Sequence, residues 1–189
     1  GSTGLNVTAA DILYDLSRET LKLKGQEDIA LIEEKVLNAS RHFRWDYYGT
    51  VEGLIAFRQR ALSMFIDDFG SGVREGRYVA AALPSLPFAD NAYRLVLCSH
   101  FLFLYGKMLG GDLQKACIEE LVRVSSDEVR VYPVQGFDLK PCSHLGAITK
   151  HLLQEGHYVD MVEVPFEFQR GSNRMLRIVK RKEAENGKL

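Results

Sequence analysis

Leu83-Pro84-Ser85-Leu86-Pro87-Phe88-Ala89-Asp90-Asn91-Ala92-Tyr93-Arg94-Leu95-Val96-Leu97-Cys98-Ser99-His100 sets two prolines, an Asp-Asn pair and an apolar run in one order. Each proline fixes its own φ and pushes the residue before it away from helix, so Leu83 to Phe88 is a stiff, extended connector. Asp90-Asn91 supplies a turn. Tyr93 to Ser99 then reads as a strand apolar enough to be buried on both faces of a parallel sheet. Open α/β sheets bind ligands beyond the carboxyl ends of their strands. Ser99 and His100 stand at such an end.

Working outward, strands and helices alternate. Leu5 to Ala10 is a short strand ending in Asp11, and Tyr78 to Ala82 is another. A helix from Asp112, its expected cap, to Val124 is followed by a strand over Glu128 to Val134. Ser143 to Glu155 is a helix closed by Gly156. Tyr158 to Val164 and Arg174 to Lys180, joined across Gly171-Ser172-Asn173, predict an antiparallel hairpin at the sheet edge. The expected fold is α/β, a Rossmann-like three-layer sandwich with a mostly parallel sheet and a closing hairpin. Residues 1–189 form one domain in this reading, with a helical insert over about residues 15–69. Apolar residues recur there at helical spacing, Asp46 to Thr50 divides the run, and Gly70-Ser71-Gly72 is expected to end it.

Lysine and arginine number 24 against 25 acids among 189 residues, a net charge of -1. That balance gives no strong signal of a polybasic face built for DNA or an anionic membrane, and the one local candidate for a basic patch is at the carboxyl end. Arg174, Arg177, Lys180, Arg181 and Lys182 read as a solvated last strand and tail. The longest apolar stretch is too short to span a bilayer. Cys98, Cys117 and Cys142 have no CxxC spacing, and no signal peptide is visible, so reduced thiols and a cytoplasmic location are expected. No spacing of histidines and cysteines suggests a metal site.

Asp11, ending a strand, offers a carboxylate that can accept both hydroxyls of a ribose. The same residue type also caps helices, here one carrying Leu13 and Leu16. His42 to Tyr48 is an aromatic and charged cluster suited either to a substrate mouth or to packing of a cap. Phe166, Phe168, Arg170 and Asn173 read as hairpin packing with a substrate-loop role.

The order of a Leu-Pro-Phe-type connector, an acidic turn and the strand Tyr93 to Ser99 resembles the class I S-adenosylmethionine-dependent methyltransferases. So do Phe101 to Tyr105, the helix ending Glu119-Glu120-Leu121-Val122-Arg123-Val124, the strand Glu128 to Pro133, and the closing hairpin. The likeness covers Leu5 to Asp11 and Tyr78 to Lys182. It implies a methyltransferase using S-adenosylmethionine on an unidentified acceptor, with a homo-oligomer as one option. It implies that Asp11 holds the ribose hydroxyls, that Ile12, Ala82 and Leu83 border the adenine, and that Ser99 and His100 border the methionine moiety. It assigns no catalytic base. Three departures stand beside it. Only Gly1-Ser2-Thr3-Gly4 precedes Leu5, so the family's glycine-rich segment is expected to be missing or truncated, these residues being either its remnant, with Gly4 toward the cofactor, or vector residue, and two strands are left without a neighbour. Val79 to Ala82 carries no acid, and Arg94 stands where the family commonly has aspartate. A second reading follows from those departures: a catalytically silent homologue acting as a protein-interaction module.

Overall fold

A computed structural model describes residues 4–181. The Gly1 to Thr3 part of the expected glycine remnant, and Lys182 of the basic tail, lie outside those residues. The chain divides into two compact units, Gly1–Ala82 and Leu83–Leu189, where the sequence predicts one domain with an insert.

In the first unit, β1 (Ala9–Asp11) pairs in parallel with β2 (Tyr78–Ala80). The strand is shorter than Leu5 to Ala10 predicts, because β2 offers three partners; Leu5 and Val7 stay exposed. A 3-10 turn over Ile12–Asp15 leads to α1 (Arg18–Asn38), capped by the Ser17 hydroxyl, which accepts the Thr20 amide at 3.1 Å. Thr50 starts α2 (Val51–Arg74), accepting the Gly53 amide at 3.1 Å. α1 and α2 pack together, and Phe65 and Phe69 of α2 form a ring cluster with Tyr14 and Tyr78.

Gly70-Ser71-Gly72 does not end α2, contrary to expectation. Gly72 is buried, and a Cβ there would overlap the Tyr78 ring, so this glycine serves close packing inside the helix. The left-handed turn falls to Gly76, at φ 72°. Just beyond it Arg77 forks onto Asp68, which also accepts the Tyr78 hydroxyl at 2.8 Å. These bonds, Arg77's first, hold the Asp68 carboxyl at about 2. A carboxylate held below its unfolded value stabilises the fold above that unfolded value, and the contribution is lost as pH falls through the folded one. Thermal melts of the wild type are therefore expected to lose stability between about pH 4 and pH 2. Asp68→Asn should be less stable at neutral pH and should flatten that limb; a variant with the wild-type slope there contradicts the assignment.

The second unit is built on a four-stranded sheet in the order β3-β4-β6-β5. β3 (Tyr93–Ser99) runs parallel to β4 (Ser125–Tyr132). β6 (Arg174–Val179) lies antiparallel to β4 and to β5 (Tyr158–Glu163), giving the expected closing hairpin and a mixed α/β fold. Between β3 and β4 come α3 (Gly106–Leu109) and α4 (Gly111–Val124), and α5 (Leu145–Gln154) precedes β5. Asp112 is not the cap of α4. Gly110, at φ 72°, takes that position because the chain must bend between two abutting helices, and Asp112 lies in the first turn. Cys98, Val129, Val131, Leu176 and Ile178 from the sheet pack with Ile118, Leu121, Ile148 and Leu152 from α4 and α5.

Two clamps hold this unit. Arg123 donates to the carbonyls of Phe88 and Leu86, at 2.9 and 3.2 Å, and pairs with Glu120; Glu120 accepts the Leu86 amide at 2.6 Å. The proline connector is thus fastened to the last turn of α4. The Lys180 ammonium donates to the carbonyls of Val122 and Ser125, both at 2.9 Å, and to Asn91 at 2.7 Å. Arg177 pairs with Glu128 at 2.9 Å. Two members of the expected solvated tail are therefore structural. No helix among the described residues is long and apolar enough to cross a membrane.

Candidate functional site

The carboxyl ends of β3 and β4 lie side by side, with Ser99 level with Tyr132. Just past Ser99 the chain turns sharply: His100 adopts φ 55°, a left-handed conformation uncommon outside glycine but less so for histidine. Its amide donates to the Tyr132 carbonyl at 2.7 Å, which holds the turn against the next strand. The Ser99 hydroxyl and His100 Nδ1 are 2.7 Å apart, so ring and hydroxyl orient one another. The imidazole meets the Tyr132 ring edge-on, with centroids 5.3 Å apart. Tyr132 in turn approaches the hairpin loop, its hydroxyl 3.4 Å from the Phe166 carbonyl and from the Ser172 hydroxyl. Buried Gln135 ties the loop after β4 to the same hairpin, donating to the Arg170 carbonyl at 3.2 Å.

Behind these loops lies Gln114, fully buried in the first half of α4. Its carboxamide nitrogen donates to the Leu102 carbonyl at 2.9 Å, and its oxygen lies 2.9 Å from His144 Nδ1. The Cys142 thiol sits 3.5 Å from that oxygen. One side chain therefore fastens the segment after β3 to the segment after β4. Burial pushes the Cys98 thiol up to about 11, so it stays protonated at neutral pH and serves as packing.

The sequence-derived residues fall into two sets. In the first unit, Asp11 ends β1, and its Oδ1 accepts the Leu13 amide at 2.8 Å, the cap foreseen as its alternative role. Ile12 is 67% exposed beside it. The Asp11 carbonyl accepts the Ala81 amide at 3.3 Å, and Ala82 follows at the end of the unit, exposed. Gly4 has φ 70°, with open space where a Cβ would project. In the second unit, Ser99 and His100 are joined as described, and Leu83 packs against the core of the sheet. Gln135 lies in the loop after Val134, just past a strand end, where functional residues are expected, and Ser172 lies in the turn expected at Gly171-Ser172-Asn173; Tyr132 and Gln114 were not foreseen. The signal for Tyr132 was weak, because the strand is predicted to run on to Val134 whereas β4 ends at Tyr132. No group of three or more histidine, cysteine or acidic side chains is placed to hold a metal among the described residues.

No family model matches the chain. The uncharacterized protein MJ0045 of Methanocaldococcus jannaschii is 28% identical over 174 residues, which is 92% of this chain and 75% of that protein. Among solved structures, the magnesium protoporphyrin IX methyltransferase (ChlM) from Synechocystis PCC 6803 with bound SAM is 16% identical, over 59% of this chain and 50% of that one, with a TM-score of 0.39. A SAM dependent methyltransferase from Aquifex aeolicus is 14% identical over 66% of this chain and 75% of that one, with a TM-score of 0.35. The chain spans about half the length of the ChlM chain it matches. Likeness at these scores leaves function to the residues.

Proposed function

We propose that this chain is of the S-adenosylmethionine-dependent methyltransferase type, transferring a methyl group to an unidentified acceptor. The observation that carries the reading is the arrangement of the second unit. The strand ending in Ser99 lies parallel to the strand ending in Tyr132, and an antiparallel hairpin closes the sheet, as the sequence resemblance implies. Ser99 and His100 stand where such sheets bind ligands.

The donor set of the first unit suits an adenosine. Asp11 is an exposed carboxylate with one oxygen committed to the Leu13 amide, and an exposed apolar side chain, Ile12, follows it. Within the first unit the proposed roles are Asp11 toward the ribose hydroxyls and Ile12 and Ala82 toward the adenine; within the second, taken by itself, the resemblance gives Leu83 an adenine contact and Ser99 and His100 the methionine moiety. Gly4 is the weakest member, since nothing packs where its Cβ would stand. When bound, the sulfonium supplies an already activated methyl carbon, so positioning is the protein's main task.

Asp11 variants test the reading. Asp11→Asn keeps a good cap and removes the charge; it should weaken S-adenosylhomocysteine binding by about tenfold, the scale of a charge-assisted hydrogen bond. Asp11→Ala should weaken binding similarly and also cost about 1 kcal/mol of stability through the lost cap. Unchanged affinity in both variants would contradict the assignment.

A further inference from the structure

Beside the Ser99–His100 turn, three aromatic rings reach solvent. Phe101 is 37% exposed, Tyr105 39% and Phe137 61%, on the segments that follow β3 and β4. They are contiguous: Phe101 and Tyr105 centroids lie 6.3 Å apart, and Tyr105 meets Phe137 edge-on at 5.1 Å. Met108, 80% exposed, lies one turn beyond Tyr105. Large apolar groups gathered at the surface mark binding surfaces.

The backbone under these rings is fixed. Lys107 pairs with Asp138 at 2.9 Å, bridging the two segments, and the Phe137 carbonyl accepts Gln169 Nε2 at 3.5 Å. The Gly136 amide donates to the Lys140 carbonyl at 3.0 Å, and Leu139 is held at φ 63°, a conformation costly for leucine. The charges are unequal as well. Residues 101–110 and 133–141 carry two lysines, Lys107 and Lys140, against one carboxylate, Asp138.

We propose that Phe101, Tyr105 and Phe137 form the acceptor subsite, and that it takes a flat aromatic molecule bearing a negative group, the ring lying on the aromatic rim and the anion toward Lys107 and Lys140. The inference rests on the methyltransferase reading for the word acceptor; the aromatic-anion site itself does not need it.

The probe is 6-hydroxy-2-naphthoate, with binding followed by its fluorescence anisotropy in the absence of any methyl donor. Saturable binding is expected. Phe137→Ala should weaken it by about fivefold, the scale of one aromatic contact. The Lys107→Ala/Lys140→Ala pair should weaken it by about threefold, the scale of exposed ion pairs, and leave neutral 2-naphthol unaffected. Cyclohexanecarboxylate in large excess should not displace the probe. Phe137→Leu, which keeps apolar volume and loses the ring, serves if Phe137→Ala fails to fold. Absence of saturation, undiminished binding in the Phe137 variants, or displacement by cyclohexanecarboxylate overturns the proposal. Probe binding without S-adenosylhomocysteine binding would sink the methyltransferase reading and leave the site; the reverse would sink the site alone.

Discussion

Gln114→Leu is expected to cost about 3 kcal/mol of stability, although it replaces one buried side chain with another of similar volume. Gln114 is fully buried, and Leu102, whose carbonyl it satisfies, is 1% exposed. The leucine leaves that buried carbonyl without its partner, at about 1–3 kcal/mol for a buried polar group so stranded, and also removes the bond to the half-buried His144 Nδ1. The damage should also be local. The segment after β3 and the segment after β4 are joined through this carboxamide, so amides from Leu102 to Gly110 should exchange faster than the global loss explains. Chemical denaturation and hydrogen exchange read the two effects. A variant within about 0.5 kcal/mol of the wild type would show that the network contributes little.

The second large effect is expected at Lys180. Its ammonium takes the carbonyls of Val122 and Ser125 at the end of α4, and also reaches Asn91 in the turn before β3. A cation suits that position twice over, because helix carbonyls lack partners at the carboxyl terminus and the helix dipole is negative there. Lys180→Met keeps most of the apolar stem and removes these bonds, together with the longer one to the Arg123 carbonyl at 3.4 Å. The expected loss is about 2–3 kcal/mol, seen as a lower denaturation midpoint with unchanged denaturant dependence. Lys180→Arg should recover part of it. A methionine variant as stable as the wild type would show that water satisfies those carbonyls equally well.

What was legible in advance follows from how local each cause is. Tyr93 to Ser99 was found to the residue, because prolines and an Asp-Asn turn punctuate an apolar run. The α2 start was legible at Thr50, whose cap bond spans three residues. The end of α2 was not, because Gly72 answers to the ring of Tyr78, which nothing inside the helix announces. Asp112 misled for a related reason: it has the chemistry of a cap, but the backbone break at Gly110 chose the helix start. Ser99 and Asp11 could be placed at strand ends, with His100 just beyond, from the sequence alone. Gln114 could not, since a glutamine in an amphipathic helix reads as surface until its neighbours are known. Arg177 and Lys180 looked like a solvated tail, yet their partners, Glu128 and the end of α4, lie 49 and 58 residues earlier in the chain. Among the described residues β3 pairs only with β4, and Leu95 and Leu97 are 45% and 66% exposed.

The central claim is that this chain recognises the methyl donor, and calorimetric titration with S-adenosylhomocysteine measures that recognition without knowledge of the acceptor. The account predicts a saturable one-site heat with a dissociation constant on the order of 10 μM, about 7 kcal/mol of binding free energy, weakened in Asp11→Asn. A flat trace at high micromolar ligand, from protein that melts cooperatively, would contradict it.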